Sequence, residues 1–220
     1  MNVIYLKNVW FRYPGSNSWV LRDINLKVLP NEVIYIVGPN GSGKTTLLKI
    51  IGLLYKPTRG YVIVEGKEFW SLSESLKTKL RRDVVYVFEK PILLRRSVIE
   101  NVAYGLLIRG FRRDEAFRMA ENVLNTLGVN YLANRDWYEL SAGEAQIVSI
   151  ARALILRPKI LLLDEPFTHL DRAKRSKLIE VISNLKRNGV GIVLTSHIED
   201  TRLPIDKIVY IENGSIHERT

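Results

Sequence analysis

The stretch GPNGSGKTT, residues 38–46, constrains this chain more than any other. It fits G-x-x-x-x-G-K-[ST], running through Gly38, Pro39, Asn40, Gly41, Ser42, Gly43, Lys44 and Thr45. The apolar run EVIYIV before it reads as a strand, and KTTLLKIIGLL after it reads as a helix. Glycines at these positions let backbone N–H groups curl around an anion, and the helix start adds partial positive charge. In such a loop Lys44 reaches the β- and γ-phosphates of a nucleotide and the Thr45 hydroxyl can ligate Mg²⁺. Thr46 is placed to help hold the α-phosphate.

The remainder of the chain supplies an α/β framework. Strand-like segments dominate the first sixty-odd residues (NVIYLKNVWFRY, NLKVL, EVIYIV, YVIVEG), with turn residues between them. From about 97 to 157 the pattern is helical. SVIENVAYGLLIRG opens at a Ser97 cap, RDEAFRMAENVLNTLG starts near Asp114 and stops at Gly128, and AGEAQIVSIARALILR ends before Pro158. Beyond these lie KILLLDEP, a helix through AKRSKLIEVISNLKRNG, the strand VGIVLTS and a hairpin-like KIVYIENGSI. Uncharged runs such as ILLL and GIVL suit strands buried on both faces of a parallel sheet.

A second set of residues sharpens the chemistry. ILLLDEP delivers Asp164 to the carboxyl end of a buried strand, where α/β folds gather their ligands. Asp164 is placed to hold Mg²⁺, and Glu165 to polarise an attacking water as general base. ELSAGEAQ, residues 139–146, reads as a helix cap, with Ser141 capping and Glu144 reaching back. That capped, positively polarised start also suits a γ-phosphate opposite it.

At ELSAGEAQ the chain resembles the ATP-binding-cassette (ABC) ATPases, whose signature begins Leu-Ser-Gly-Gly; Ala142 departs from it at the third position. The order and spacing of the other elements match over essentially the whole chain. The resemblance implies a P-loop NTPase core with a mostly parallel sheet, an N-terminal antiparallel β subdomain and a helical insertion. Residues 1–220 then form one ABC ATPase domain: 1–90 and 158–220 make the nucleotide-binding core, and about 91–157 the helical subdomain.

Roles for single residues follow from the same resemblance. Tyr13 in FRYPG sits where the family stacks an aromatic on adenine, although a tyrosine in a surface turn would read alike. Asp171 in THLD matches a segment that crosses the dimer interface, and His197 in LTSH matches a histidine that touches the γ-phosphate. YVFEKP places Glu89 where the family carries a glutamine touching Mg²⁺ and the attacking water. A neutral amide there has become a carboxylate. Two cassettes of this family close head to tail around two ATPs, so Ser141, Gly143 and Glu144 of one subunit would face the nucleotide on the Lys44, Thr45 and Asp164 of the other.

The formal charge of +10 invites a nucleic-acid partner, but the basic residues are spread along the chain and no aromatic-interleaved basic motif or zinc finger stands out. Nucleic acid is therefore not the expected partner. No segment has the roughly 18 or more uncharged apolar residues of a membrane span. The N-terminus lacks a secretory pattern, and cysteine is absent. A cassette without a membrane span must work with separate integral permease subunits, which places it in the cytoplasm, peripheral on the cytoplasmic face of the membrane. The separate-subunit arrangement is typical of importers, which add an external solute-binding protein. KPILLRRSVIENVAYGL, residues 90–106, is similar to the equivalent segment of tungstate and related oxyanion importers. Two rivals stay open: a cassette powering a non-transport machine (cell division, lipoprotein handling, DNA repair), and a nucleotide-gated clamp with weak hydrolysis.

Overall fold

A computed structural model describes residues 3–196 and 202–219. Ten strands and six α-helices are found among these residues. The antiparallel sheet has the order β2-β1-β4-β5, built from β1 (Ile4–Phe11), β2 (Leu21–Val28), β4 (Arg59–Val64) and β5 (Lys67–Glu68). The second sheet has the order β10-β9-β3-β8-β7-β6. In it β3 (Val33–Val37), β6 (Val84–Val87), β7 (Ile160–Leu163), β8 (Gly191–Thr195) and β9 (Lys207–Glu212) run parallel, and β10 (Ser215–Arg219) pairs antiparallel with β9.

The period of two along the central strands divides the interior. Ile34 and Ile36 of β3, Ile160 and Leu162 of β7 and Val193 of β8 enter one core with α1 (Lys44–Ile51) and the antiparallel sheet. Their alternates Val33, Tyr35, Leu161, Leu163, Ile192 and Leu194 enter the other. That second core is completed by α3 (Val98–Leu107), α4 (Arg113–Thr126), α5 (Ala142–Leu154) and α6 (Arg172–Arg187). Every residue of β7 and β8 is buried, as strands covered on both faces require.

The helix starts agree with the residues read as caps. Ser97 and Ser141 each close a reciprocal capping box, with Glu100 and Glu144 respectively. One helix, α2 (Glu74–Arg81), falls where the sequence shows only a basic run; Ser73 caps it, and Lys77 and Arg81 lie over the Trp70 ring. The segment between β6 and α3 is fixed by Asn101, which is 1% exposed. The Asn101 side chain accepts from the Leu94 N–H and donates to the carbonyls of Leu94, Arg96 and Ser97. The Arg96 carbonyl in turn accepts from the Trp137 N–H, tying this segment to the approach to α5.

Candidate nucleotide site

The phosphate loop leaves the buried strand β3 and closes through Gly43, whose φ of 109° lies in the left-handed region that favours glycine. Lys44 is buried and folds back over the loop, its Nζ donating to the carbonyls of Gly38 (2.8 Å) and Pro39 (3.1 Å). The ammonium is thereby held above the cradle. Thr46, 5% exposed, shares a hydrogen bond of 2.9 Å with the Tyr13 hydroxyl.

A cleft of about 620 Å³ opens here. Of the residues singled out by sequence, Tyr13, Asn40, Gly41, Gly43, Lys44, Thr45, Thr46, Glu89, Asp164 and Glu165 line it together. Val20 and Thr168 line it as well, and no sequence signal pointed to them. Gly38, Pro39 and Ser42 belong to the same loop but are not among its lining residues. His197 lies outside the described residues.

Asp164 is 2% exposed and keeps both carboxylate oxygens occupied. Tyr86 donates its hydroxyl to Oδ2 at 2.6 Å, and Thr195 donates to Oδ1 at 2.9 Å. Burial first, and then the hydrogen bond to Asp164, push the Tyr86 phenol far above the ordinary tyrosine value. Glu165 follows with a φ of 47°, a left-handed conformation costing roughly 1–2 kcal/mol in a non-glycine residue. Its N–H donates to Thr195 Oγ1 at 2.9 Å, so one threonine hydroxyl steadies both acids. Such a backbone outlier at the mouth of a cleft is a mark of a functional turn.

Ser141, Gly143, Glu144 and Asp171 do not line this cleft; they gather at the start of α5 and beside it. Ser141 donates to Glu144 Oε2 through its N–H (2.9 Å) and its hydroxyl (2.8 Å). Gly143 packs against the His169 carbonyl. Asp171 caps α6 by accepting from the Lys174 N–H and pairs with the Lys174 ammonium, whose charge also reaches Glu144. Ser141 and Asp171 are both exposed, leaving this cluster open to a second molecule.

The donor set fits magnesium held with a nucleotide. A threonine hydroxyl and carboxylates are hard oxygen ligands, and Mg²⁺ commonly takes one or two carboxylates plus phosphate oxygens instead of an all-protein cage. No group of three or more His, Cys, Asp or Glu placed to hold a metal occurs among the described residues.

A phosphate loop on a parallel sheet, an acid pair at the end of β7 one strand removed from β3 and an outward-facing capped serine helix define a nucleotide-hydrolysing cassette. The chain belongs to the ABC transporter family, which it matches over residues 21–168. It is 39% identical to the lipoprotein-releasing system ATP-binding protein LolD 2 of Caulobacter vibrioides over 90% of this chain and 88% of that protein. It is 36% identical to a probable anion import ATP-binding protein of Haloferax volcanii, over 90% and 74%. The fold matches a dimeric ATP-binding cassette in a post-hydrolysis state bound to ADP and Pi, with a TM-score of 0.89, 31% identity and coverage of 99% and 98%. The protein is thus an ABC ATPase that takes ATP with Mg²⁺.

Proposed function

We propose that this chain is the ATP-hydrolysing subunit of a transporter whose membrane path is formed by separate permease subunits. The observation that carries the reading is the split site: a complete phosphate cleft on one side and an exposed, capped Ser141 helix start elsewhere on the same chain. Each half suits the other half of a second copy. In a head-to-tail homodimer Lys44, Thr45 and Asp164 of one copy hold ATP and Mg²⁺, and Ser141, Gly143 and Glu144 of the partner close over the γ-phosphate. Tyr13 stacks on the adenine and Glu165 polarises the attacking water; His197, outside the described residues, is the residue assigned by the family resemblance to the γ-phosphate. Opening after hydrolysis drives the membrane subunits.

A groove of about 410 Å³ beside β6 and α3 offers the permease a docking place. Ile92 and Ile108 stand 71% and 69% exposed at its edge, and Phe88 and Tyr104 line it. No helix among the described residues is long and apolar enough to cross a membrane; with separate permease subunits, this reading puts the chain as a peripheral subunit on the cytoplasmic face. For the solute, the 90–106 segment and the anion-import relative favour an oxyanion, tungstate included, delivered by an external binding protein. The lipoprotein-releasing relative favours a second reading, extraction of a lipid-linked protein from the membrane.

Glu165→Gln tests the core of the proposal. The variant should bind ATP and accumulate as an ATP-bound dimer by size-exclusion chromatography; hydrolysis near the parent rate would refute the base assignment. Co-purification of a permease, with or without a soluble binding protein, separates the two cargo readings.

A further inference from the structure

We propose that Tyr86 is a positioning residue for Asp164 and links the apolar groove beside β6 to the magnesium-holding carboxylate. Tyr86 sits on β6, the edge strand, in parallel register with Leu162 of β7. Tyr86 is among the residues lining the groove, while its hydroxyl lies 2.6 Å from Asp164 Oδ2. That separation is in the range of a charge-assisted O–H···O⁻ bond. A phenylalanine would fill the same space on the face of the sheet; only the phenol oxygen reaches the carboxylate.

The backbone reinforces the contact. The Asp164 N–H donates to the Val87 carbonyl at 3.0 Å, so the end of β6 grips Asp164 by main chain and side chain. On the groove side Phe88 stands edge-on to Tyr86, with ring centroids 4.7 Å apart and planes at 76°. Phe88 is 42% exposed, so anything entering the groove meets a ring that touches Tyr86 directly. Pressure on Phe88 is passed to the phenol, and from the phenol to the orientation of Asp164. Outer hydrogen bonds of this kind fix the direction of a metal ligand.

The test uses the isolated chain and equilibrium binding of a fluorescent ATP analogue, titrated with Mg²⁺ and repeated in EDTA. Tyr86→Phe should raise the magnesium midpoint about tenfold, the lower end for loss of an outer-shell partner. Metal-free binding should stay at the parent level. Superimposable magnesium curves would overturn the proposal; so would an equal loss of metal-free binding, because the phenol would then be supporting the fold. Phe88→Ala should move the midpoint in the same direction by a smaller factor, and no movement would sever the groove from the metal. The groove's use as a docking site belongs to the proposed function. If that reading failed, permease co-purification would be lost while both titrations stood.

Discussion

The phenol oxygen of Tyr13 and the hydroxyl of Thr46 share a hydrogen bond 2.9 Å long across the mouth of the nucleotide cleft. Tyr13 is the outer member of a three-ring cluster. It meets Phe11 and Tyr55 edge-on at 5.2 and 6.1 Å, and those two stack on each other. If stacking on adenine draws the Tyr13 ring away from Thr46, this bond is lost. Serving the α-phosphate alone would not break it, because the Thr46 hydroxyl can donate to phosphate while accepting from Tyr13. The bond's net worth is about 0.5–1.5 kcal/mol. Tyr13→Phe keeps the ring and deletes the bond, so ADP should bind about two- to tenfold more tightly. Tyr13→Ala removes the platform and should weaken binding, since base–aromatic stacking is worth about 1–3 kcal/mol. Fluorescence titration with an ADP analogue reads both, and weaker binding by the Phe variant would mean the hydroxyl serves the bound nucleotide instead.

Gly143 cannot carry a side chain without moving the turn opposite it. A Cβ there would lie 2.4 Å from the His169 carbonyl oxygen, a backbone atom with little room to yield. His169 is itself held at a φ of 67°, in the turn that begins at Glu165. Gly143→Ala should therefore cost about 1–3 kcal/mol as overpacking. The melting temperature should fall by about 2–4 °C per kcal/mol for a chain of this size. Ala142, the departure from the family signature, is exposed and meets no such obstacle. A thermal melt of Gly143→Ala matching the parent's would show that the His169 turn relaxes freely.

Much of the site could be read in the sequence because it is local. Gly38 to Thr46, and Asp164 with Glu165, sit at the ends of short buried strands, and that pattern needs no tertiary knowledge. Long-range hydroxyl contacts left no trace. Tyr86 and Asp164 are 78 positions apart, and Thr195 and Asp164 are 31 apart. In an apolar run such as Val84–Phe88 a tyrosine reads simply as packing. Asn101 is hidden for a related reason: a polar residue on an amphipathic helix reads as solvated, yet here it is buried against four main-chain groups. α2 is short and mostly polar, so its charge masked its period.

Acid should act on the start of α5 through Glu144. Burial pushes this carboxyl up, but the Ser141 N–H and hydroxyl, with Arg135 and Lys174 nearby, outweigh it and hold it below the ordinary glutamate value of 4.5. A depressed folded value means the carboxylate stabilises the fold above about pH 4.5 and loses that contribution as pH falls through the folded value. Glu144→Gln keeps an acceptor for the cap and removes the titration. Melting curves from pH 7 to pH 3 should show the parent's advantage over this variant shrinking below about pH 4.5. An advantage that stays constant across that range would count against the carboxylate as its source.

Glu89 gives the sharpest electrostatic prediction, because it is a carboxylate where the family resemblance implies an amide. It is exposed, lines the cleft with Asp164 and Glu165, and its charge is felt by the Tyr86 phenol. Near a bare triphosphate that charge repels; near Mg²⁺ it attracts. At about 4 Å and an effective dielectric near 20 a unit pair is worth about 4 kcal/mol, though exposure and salt reduce it. The two signs separate experimentally. Glu89→Gln should bind ATP more tightly than the parent in EDTA and gain less when magnesium is added. The ratio of affinities with and without magnesium is therefore the quantity to measure. If Glu89 turns away toward Lys90, the ratio in Glu89→Gln will equal the parent's, and the carboxylate has no part at the metal.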